Sequence, residues 1–273
     1  MKTNEAQTLT HHGVPNRELI EHAEQILDQF TRQAVPFAAS VAPSIQSFLD
    51  LVVAHAGLDE NDDVLDLACG PGVTTCALAS KASHVTGVDF VPAMLEQARN
   101  RQQEAALPNI TWTQGDATHL DFADQRFSLV TTRYSFHHLQ DPKAALQEMA
   151  RVCRIGGRVL VADATPAAEK ADAYNGFERM RDPSHTRALP REELQALADG
   201  LPLRLLAVAT YDFDAELAAI LDASFPNPEH ADLLRPAIAQ DVTEDRLSFR
   251  AHYEGEVLRV IFPGTLLVWE RLA

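Results

Sequence analysis

A glycine-rich turn is the stretch of this sequence best suited to bind a ligand. Residues 65–72, LDLACGPG, are typical of a buried strand that turns at Gly70 and Gly72 and opens a helix near Val73. Glycines let the backbone approach a ligand closely, and a helix start offers free N–H groups. A phosphate loop would need Gly-Lys-Ser/Thr, and a dinucleotide loop would need a third glycine at Thr75. The sequence matches neither pattern.

Three carboxylates accompany this turn. Asp66 lies inside the first strand, Asp89 ends a second strand-like run, and Asp116 ends a third. These carboxylates would lie at the carboxyl ends of parallel strands, where such sheets bind ligands. Asp66 can hold an ammonium group, and Asp89 can accept hydrogen bonds from both hydroxyls of a ribose. Asp116 can accept a hydrogen bond from the exocyclic amine of adenine. The amide of Ala117 would donate to a ring nitrogen of the same base. Ammonium, ribose and adenine together describe S-adenosylmethionine.

Alternating strand-like and helical segments must position these residues. The strand-like runs cover 63–68, 84–90, 110–117, 127–136 and 157–165. Repeated strand–helix–strand units predict a parallel sheet with helices on both faces. An amphipathic helix over 18–30 precedes them. Later segments are a helix over 190–200, a strand over 201–213, a polar helical segment at about 214–248, and one or two strands over 256–272 joined at Pro263-Gly264.

One sheet-centred domain is expected from 273 residues. Residues 1–57 would be an N-terminal helical cap, and 58–166 the cofactor-binding core. Residues 167–273 would complete the sheet and carry a helical lid insertion at about 214–248. The lid over the site would be formed by 1–57 and 166–250.

Charge and composition limit the partners. A net charge of −16 disfavours nucleic acid. No apolar run reaches the roughly 18–20 residues of a membrane helix, the amino terminus has no apolar signal core, and three cysteines form no disulfide framework. We therefore expect a cytoplasmic protein without a membrane span, either a monomer or a homodimer. His84 and His119 have no partners at metal-ligand spacing, so no metal is predicted.

The ordered motifs from Asp62 to Pro166 resemble class I S-adenosylmethionine-dependent methyltransferases, in particular the branch that includes ubiquinone/menaquinone C-methyltransferases. The shared pieces are VLDLACGPG, VTGVDFVPAMLEQAR, QGDATHLDFADQRFSLVTTRYSFHHLQDPKAALQEMARVCRIGGRVLVAD and, further on, FERMRDPSH. The resemblance implies an α/β fold, a Rossmann-like doubly wound sheet of seven strands whose last strand is antiparallel, with helical N-terminal and lid additions. It also implies S-adenosylmethionine as cofactor and S-adenosylhomocysteine as product.

The same resemblance assigns the cofactor contacts. The residues implied are Asp66, Ala68, Gly70, Gly72, Asp89, Phe90, Met94, Asp116, Ala117 and Arg133. Arg133 would contribute through its backbone. Ala68 stands where many relatives have glycine, and its methyl group would tighten the approach of the methionine part.

Methyl transfer is an in-line displacement, in which the protein aligns the nucleophile, the methyl group and sulfur. A general base assists when the nucleophile must lose a proton. His137, His138 and His185 are the candidate bases, and Tyr134 would orient the acceptor. One of the adjacent histidines, His137 or His138, is expected to be structural instead.

The acceptor is expected to be a small aromatic or otherwise apolar metabolite, methylated at O, N or C. Phe30 and Phe37 would form a wall of the site, or serve only helix packing. Arg181 and Arg187 would bind an acceptor carboxylate or phosphate, or else Arg181 would pair with a neighbouring acid. The place after the fourth strand reads TTRY, which lacks the Asn/Asp-Pro-Pro-Tyr of enzymes that methylate exocyclic amines.

Three other functions stay open from the sequence. The first is an enzyme of the same fold that uses the cofactor for cyclisation or a similar reaction. The second is a non-catalytic binding protein, which the intact set of carboxylates and glycines disfavours. The third is a nicotinamide oxidoreductase, which Thr75 disfavours.

Overall fold

A mixed sheet runs through the centre of the computed structural model, which describes residues 17–39 and 43–273. Within these residues the strands are β1 (Asp63–Leu67), β2 (His84–Asp89), β3 (Ile110–Gln114), β4 (Phe127–Arg133), β5 (Cys153–Ala164), β6 (Leu203–Glu216), β7 (His252–Glu254) and β8 (Val257–Arg271). Their order is β3-β2-β1-β4-β5-β8-β6, and β7 pairs with β8 beside this path. Strands β1 to β5 are parallel, whereas β8 is antiparallel to both β5 and β6. The predicted seven-strand path with an antiparallel last strand is confirmed, and β7 is an additional short strand.

Helices cover both faces of this sheet. In the described ranges they are α1 (Arg17–Ala39), α2 (Pro43–Ala56), α3 (Val73–Ala79), α4 (Pro92–Glu104), α5 (Pro142–Val152), α6 (Ala171–Arg181), α7 (Arg191–Ala196), α8 (Leu217–Ser224) and α9 (Pro228–Asp241). Residues 1–16 and 40–42 of the predicted cap lie outside the described residues. None of the described helices has the length and apolar character needed to cross a bilayer.

Alternation along β1 explains how the sheet is packed. Leu65 and Leu67 are buried in the core cluster that contains Met149 of α5. Val64, one position away, lies in the opposite cluster with Phe48 of α2. Because successive side chains of a strand point to opposite faces, both faces of β1 are covered. Asp66 is two positions after Val64, so its side chain points to the same face of β1 as that of Val64 and is buried.

The segment predicted as a lid insertion packs mainly beside the sheet. Strand β6 continues to Glu216, so its helical part begins at α8. Buried side chains of α8 and α9, such as Leu217 and Leu234, pack in a third cluster with Tyr174 of α6 and Val260 of β8. These helices therefore bury apolar surface at the side of the sheet, and α1 covers the candidate site instead.

The carboxyl-terminal part of the sheet also differs from the sequence prediction. Pro263 and Gly264 lie within a single strand, β8, and not at a junction between two strands. A Cβ added at Gly264 would clash with the ring of Tyr211 on the neighbouring strand. Glycine at this position thus permits a close approach between strands.

Candidate functional site

A cavity of about 610 Å³ opens at the carboxyl ends of β1, β2 and β4. This volume lies within the roughly 300–1,000 Å³ of small-molecule sites. The turn after β1 forms its floor. The roof is the inner face of α1, with the side chains of Leu19, His22, Ala23, Ile26, Phe30 and Phe37.

The floor is a backbone turn in left-handed conformation. The φ angles are 49° at Ala68, 54° at Gly70 and 75° at Gly72. A Cβ at Gly70 would have no atom within 4 Å, so the space above it is open, whereas one at Gly72 would lie 2.7 Å from Trp112. Gly72 itself does not line the cavity; it lets α4 and Trp112 support the turn from behind. The open space at Gly70 fits a cofactor that packs directly against the backbone.

Asp66 is a buried carboxylate in the cavity wall. Asp66 is 1% exposed, and its Oδ2 accepts a hydrogen bond from the Thr75 hydroxyl at 2.6 Å. Burial raises the pKa of Asp66 to about 7, against the opposing effects of Thr75 and Arg133. A cationic group in the cavity would restore the ionised form, because an adjacent positive charge lowers a carboxyl pKa. This contact of Thr75 was not predicted from the sequence. The signal that could have indicated it is a hydroxyl residue in the first turn of the helix that follows the glycine turn.

Asp89 connects the turn to the end of β2. Its Oδ2 accepts from the amide of Gly70 at 2.7 Å, and its Oδ1 accepts from the amide of Val91 at 2.9 Å. Burial raises the pKa of Asp89, although these two amides favour the ionised form. A carboxylate has about four lone-pair sites, so Asp89 keeps acceptor capacity for hydroxyl groups of a ligand.

Asp116 lies in the loop after β3 and not in the strand, which ends at Gln114. It lines the cavity together with Ala117. Its Oδ1 accepts from both the amide and the hydroxyl of Thr118, each at 2.8 Å. The carboxylate is thus held in place at the cavity edge.

The remaining predicted cofactor residues also reach the cavity. Phe90, Met94 and Arg133 line it. The guanidinium carbon of Arg133 lies 5.6 Å from the ring centre of Phe48 and 5.4 Å from that of Tyr134. All predicted cofactor residues except Gly72 therefore surround one space.

The two adjacent histidines have different surroundings. His137 does not line the cavity; its Nδ1 is hydrogen-bonded to Asp163, and its amide donates to Asp163 Oδ2 at 3.2 Å. Burial lowers the pKa of His137, but the Asp163 carboxylate outweighs this effect and raises it. The His137 carbonyl accepts from the amides of Thr186 and Arg187. His137 therefore connects three segments of the chain and faces away from the cavity.

His138 lies at the cavity wall and is held from behind. Its Nδ1 is 3.2 Å from the carbonyl oxygen of Ser184 and 3.1 Å from the Ser184 hydroxyl. That hydroxyl donates to Asp182 Oδ1 at 2.6 Å, and Gln33 of α1 donates to Asp182 Oδ2 at 3.3 Å. A proton on Nδ1 satisfies the Ser184 carbonyl and leaves Nε2 as the accepting nitrogen.

Electrostatics keep this histidine neutral. Burial, followed by the charge of His137, lowers the pKa of His138 to about 3. Burial acts to raise the pKa of Asp182, but the charge of Arg181 and the hydrogen bonds from the Ser184 hydroxyl and amide hold this pKa below its usual value. The sequence did not single out this His138–Ser184–Asp182 arrangement as a unit.

His185 and Tyr134, the other two catalytic candidates, differ in position. His185 is 4% exposed, does not line the cavity, and pairs through Nε2 with Asn175 at 2.7 Å. Burial lowers its pKa. Tyr134 lines the cavity in a left-handed backbone conformation with φ of 49°, and its ring packs against Phe48 and Tyr211. Burial raises the pKa of the Tyr134 hydroxyl, so this group stays protonated.

Two of the four predicted substrate residues reach the cavity. Phe30 and Phe37 lie in the roof, with ring centres 6.3 Å apart. Arg181, which is partly buried, forms an ion pair with Glu178 and donates to the Ser224 hydroxyl at 2.7 Å. Arg187 forms an exposed pair with Glu193. Because both guanidinium groups are paired outside the cavity, the structure does not support the prediction that they bind an acceptor anion.

The sequence of the chain is similar to that of known methyltransferases. Residues 64–157 match the family model of a methyltransferase domain. In sequence, the chain is 36% identical over 151 residues to the uncharacterized methyltransferase YcgJ of Bacillus subtilis, covering 55% of this chain and 60% of that protein. It is 37% identical over 138 residues to a demethylmenaquinone methyltransferase of Mycobacterium sp. (strain JLS), covering 50% of this chain and 55% of the relative. The chain therefore spans little more than half the length of these curated relatives.

The fold matches over a longer stretch. The crystal structure of Bacillus subtilis YcgJ superposes with a TM-score of 0.76 and 25% sequence identity. The match covers 84% of this chain and 99% of that structure.

Proposed function

We propose that this chain is a class I S-adenosylmethionine-dependent methyltransferase of the quinone methyltransferase-like branch, and that it transfers methyl groups to a small molecule. The match of residues 64–157 to a methyltransferase domain and the similarity to a demethylmenaquinone methyltransferase support this proposal. One observation carries the proposal. Asp66, Asp89 and Asp116, at or just beyond the ends of three neighbouring strands, line a single cavity around an open glycine turn. This arrangement suits a ligand with a cation at one end and hydroxyl and amine donors at the other.

The residues fit the cofactor that the family implies. Asp66 would hold the ammonium group, directly or through water. Asp89 would accept from the ribose hydroxyls, and Asp116 with Ala117 would contact the adenine edge. When bound, S-adenosylmethionine supplies an electrophilic methyl group on a positively charged sulfur. The residues of this chain would fix its position and exclude water from it.

The roof indicates the kind of acceptor. Leu19, Ile26 and Phe30 of α1 present apolar surface to the cavity, and the Phe30 ring meets that of His138 edge-on at 4.8 Å. Carboxylates dominate the charged groups of the opposite wall. An aromatic or otherwise apolar acceptor without negative charge fits these surroundings best, with the methylated atom being O, N or C.

His138 would receive the proton of a hydroxyl acceptor as the bond to the methyl group forms, because the proton on a methylated hydroxyl oxygen is acidic enough to pass to a weakly basic ring. Its neutral ring offers Nε2 as an acceptor because Ser184 occupies Nδ1. Asp182 would stabilise the imidazolium that forms, through the intervening Ser184 hydroxyl. Tyr134, which lines the cavity, would orient the acceptor by shape.

The experiment is a methyl-transfer assay with S-adenosylmethionine labelled in its methyl group and a panel of neutral phenols, quinols and amines. We expect labelled product and stoichiometric S-adenosylhomocysteine, with Asp66→Asn as the inactive control and Arg187→Gln, outside the cavity, as the active one. Conversion of an acceptor to an unlabelled isomer would instead indicate cyclisation or a similar reaction. Binding of the cofactor without turnover of any acceptor would contradict the proposed methylation of this class.

A further inference from the structure

Arg101 joins the floor and the roof of the cavity from behind. It lies in the last turn of α4 and does not line the cavity. Its Nε donates to the carbonyl of Pro71 in the glycine turn at 3.0 Å. Its Nη2 donates to the carbonyl of Ala38 near the end of α1 at 2.9 Å. One side chain therefore contacts the two elements between which a cofactor would lie.

The end of α1 requires such a donor. The last carbonyls of a helix have no partner within it, and a cation nearby is favourable to the helix dipole. Helix α1 has no basic residue in its own last turn. Arg101 supplies from α4 the charge and the N–H groups that α1 lacks. A planar guanidinium is suited to hold two acceptors in fixed directions.

The glycine turn is also fixed by α4. A Cβ at Gly72 would lie 3.0 Å from the Cβ of Ala98, so the helix packs directly against the turn. Arg101 follows Ala98 by three positions and thus lies on the same side of α4. Met94, further toward the start of the helix, packs in one cluster with Ala34 and Phe37 of α1. Helix α4 is the common support of both walls.

The other contacts of α1 would keep it folded without Arg101. Gln29 and Gln33 donate to the carbonyl of Ser224, and His22 contacts the carbonyl of His138 at 2.7 Å. These contacts hold the first two-thirds of the helix. The end that carries Phe37 depends on Arg101 and on the apolar cluster.

We infer that Arg101 is a positioning residue for the cofactor: by holding the Pro71 and Ala38 carbonyls it sets the gap between the glycine turn and the end of the roof helix. The inference rests on the proposed function, because the gap matters only if the cofactor binds in it. Loss of the two Arg101 hydrogen bonds would make both Phe37 and the glycine turn more mobile. Cofactor binding would then be weaker, because part of its free energy would be used to order these two segments.

The test compares Arg101→Gln and Arg101→Lys with Arg99→Gln, which removes the same charge from an exposed position of the same helix. Affinity for S-adenosylhomocysteine is measured by calorimetry. We expect Arg101→Gln to bind about tenfold more weakly, a typical coupling between two elements. Arg101→Lys should lie between, since an ammonium group can keep one carbonyl contact, and Arg99→Gln should match the unaltered protein.

Hydrogen exchange at the backbone amides of residues 34–39, at the end of α1, provides a readout that needs no cofactor. Exchange should be faster in Arg101→Gln than in Arg99→Gln. Equal affinity and equal exchange in these two variants would overturn the inference, and so would a lower Tm with neither change. If Arg101→Gln does not fold, Arg101→Lys decides by the same two measurements. If the unaltered protein binds no cofactor, the proposed function fails, whereas exchange at residues 34–39 still tests the contact.

Discussion

Asp66 is expected to make cofactor affinity depend on pH, with a sign and size that follow from its burial. Burial raises the pKa of this carboxyl from 3.8 to about 7. In the free protein at lower pH, Asp66 is protonated and must lose its proton before it can pair with an ammonium group. Affinity should therefore rise with pH up to about 8 and then level.

The size follows from linkage of one proton to binding. Each pH unit below the pKa costs about tenfold in affinity, so binding at pH 6 should be about tenfold weaker than at the plateau, and at pH 5 about a hundredfold weaker. Asp66→Asn has no proton to lose. Its affinity should be low and independent of pH.

The same burial has a cost in stability. Because the folded-state pKa of Asp66 lies above the unfolded value, the native protein favours the protonated form. This stabilisation is complete below the unfolded pKa and is lost as pH rises through about 7. A shift of about 3 units corresponds to about 4 kcal/mol at most. Asp66→Asn should therefore have a larger free energy of unfolding by urea than the unaltered protein at pH 8.

Calorimetric titration with S-adenosylhomocysteine from pH 5.5 to 8.5 is the assay. This product keeps the ammonium group but has no positive charge on sulfur, so it isolates the role assigned to Asp66. A pH-independent affinity in the unaltered protein, or an equal affinity in Asp66→Asn, would show that Asp66 does not pair with the ammonium group.

Three further predictions concern the turn and the histidines. Asp89→Ala removes the acceptor for ribose and for the Gly70 amide, so calorimetry should show cofactor affinity reduced about a hundredfold; unchanged affinity would exclude the ribose assignment. Ala68→Gly relieves a left-handed φ of 49° and should stabilise the protein by about 0.5–1 kcal/mol in urea unfolding; a lower stability would mean that the methyl group packs favourably. His138→Gln should lower kcat by about 10²–10⁴ with cofactor affinity unchanged, whereas His185→Gln should lower Tm with little effect on kcat; similar kcat losses in both variants would contradict the distinction drawn between these histidines.

The core of the fold could be predicted because its signals are local. The buried run of β1, the left-handed turn at Gly70 and Gly72, and the carboxylates at strand ends all lie within a few residues of the feature they define. Residue type and position near a strand end were therefore enough to predict that Asp66 and Asp89 lie together, and both line the cavity. Ala68 was also singled out from residue type, as an alanine where many relatives have glycine. Its φ of 49° is one that glycine adopts more readily.

The rest depends on contacts that the sequence does not reveal locally. His137 and His138 are neighbours, and only the fold sends one to Asp163 and the other to the cavity. Ser184 contacts His138 across 46 positions of the chain, and Arg101 contacts Ala38 across 63. The Arg181–Glu178 pair, by contrast, spans only three positions on α6, a spacing at which helical side chains commonly interact.

The roof and the predicted lid show the same limit. An amphipathic pattern indicates that a helix buries one face but not what that face covers. The apolar face of α1 covers the cavity, whereas α8 and α9 bury theirs against α6 and β8. Their roles could be distinguished only once the sheet and its neighbours were assembled.

The most direct test of the assigned cofactor is calorimetric titration of the unaltered protein with S-adenosylmethionine and S-adenosylhomocysteine, with NAD as the control. We expect micromolar binding of both sulfur compounds and none of NAD, because the turn carries Thr75 where a dinucleotide loop would carry its third glycine. Binding of NAD, or of none of the three, would contradict the assignment of the cavity as an S-adenosylmethionine site.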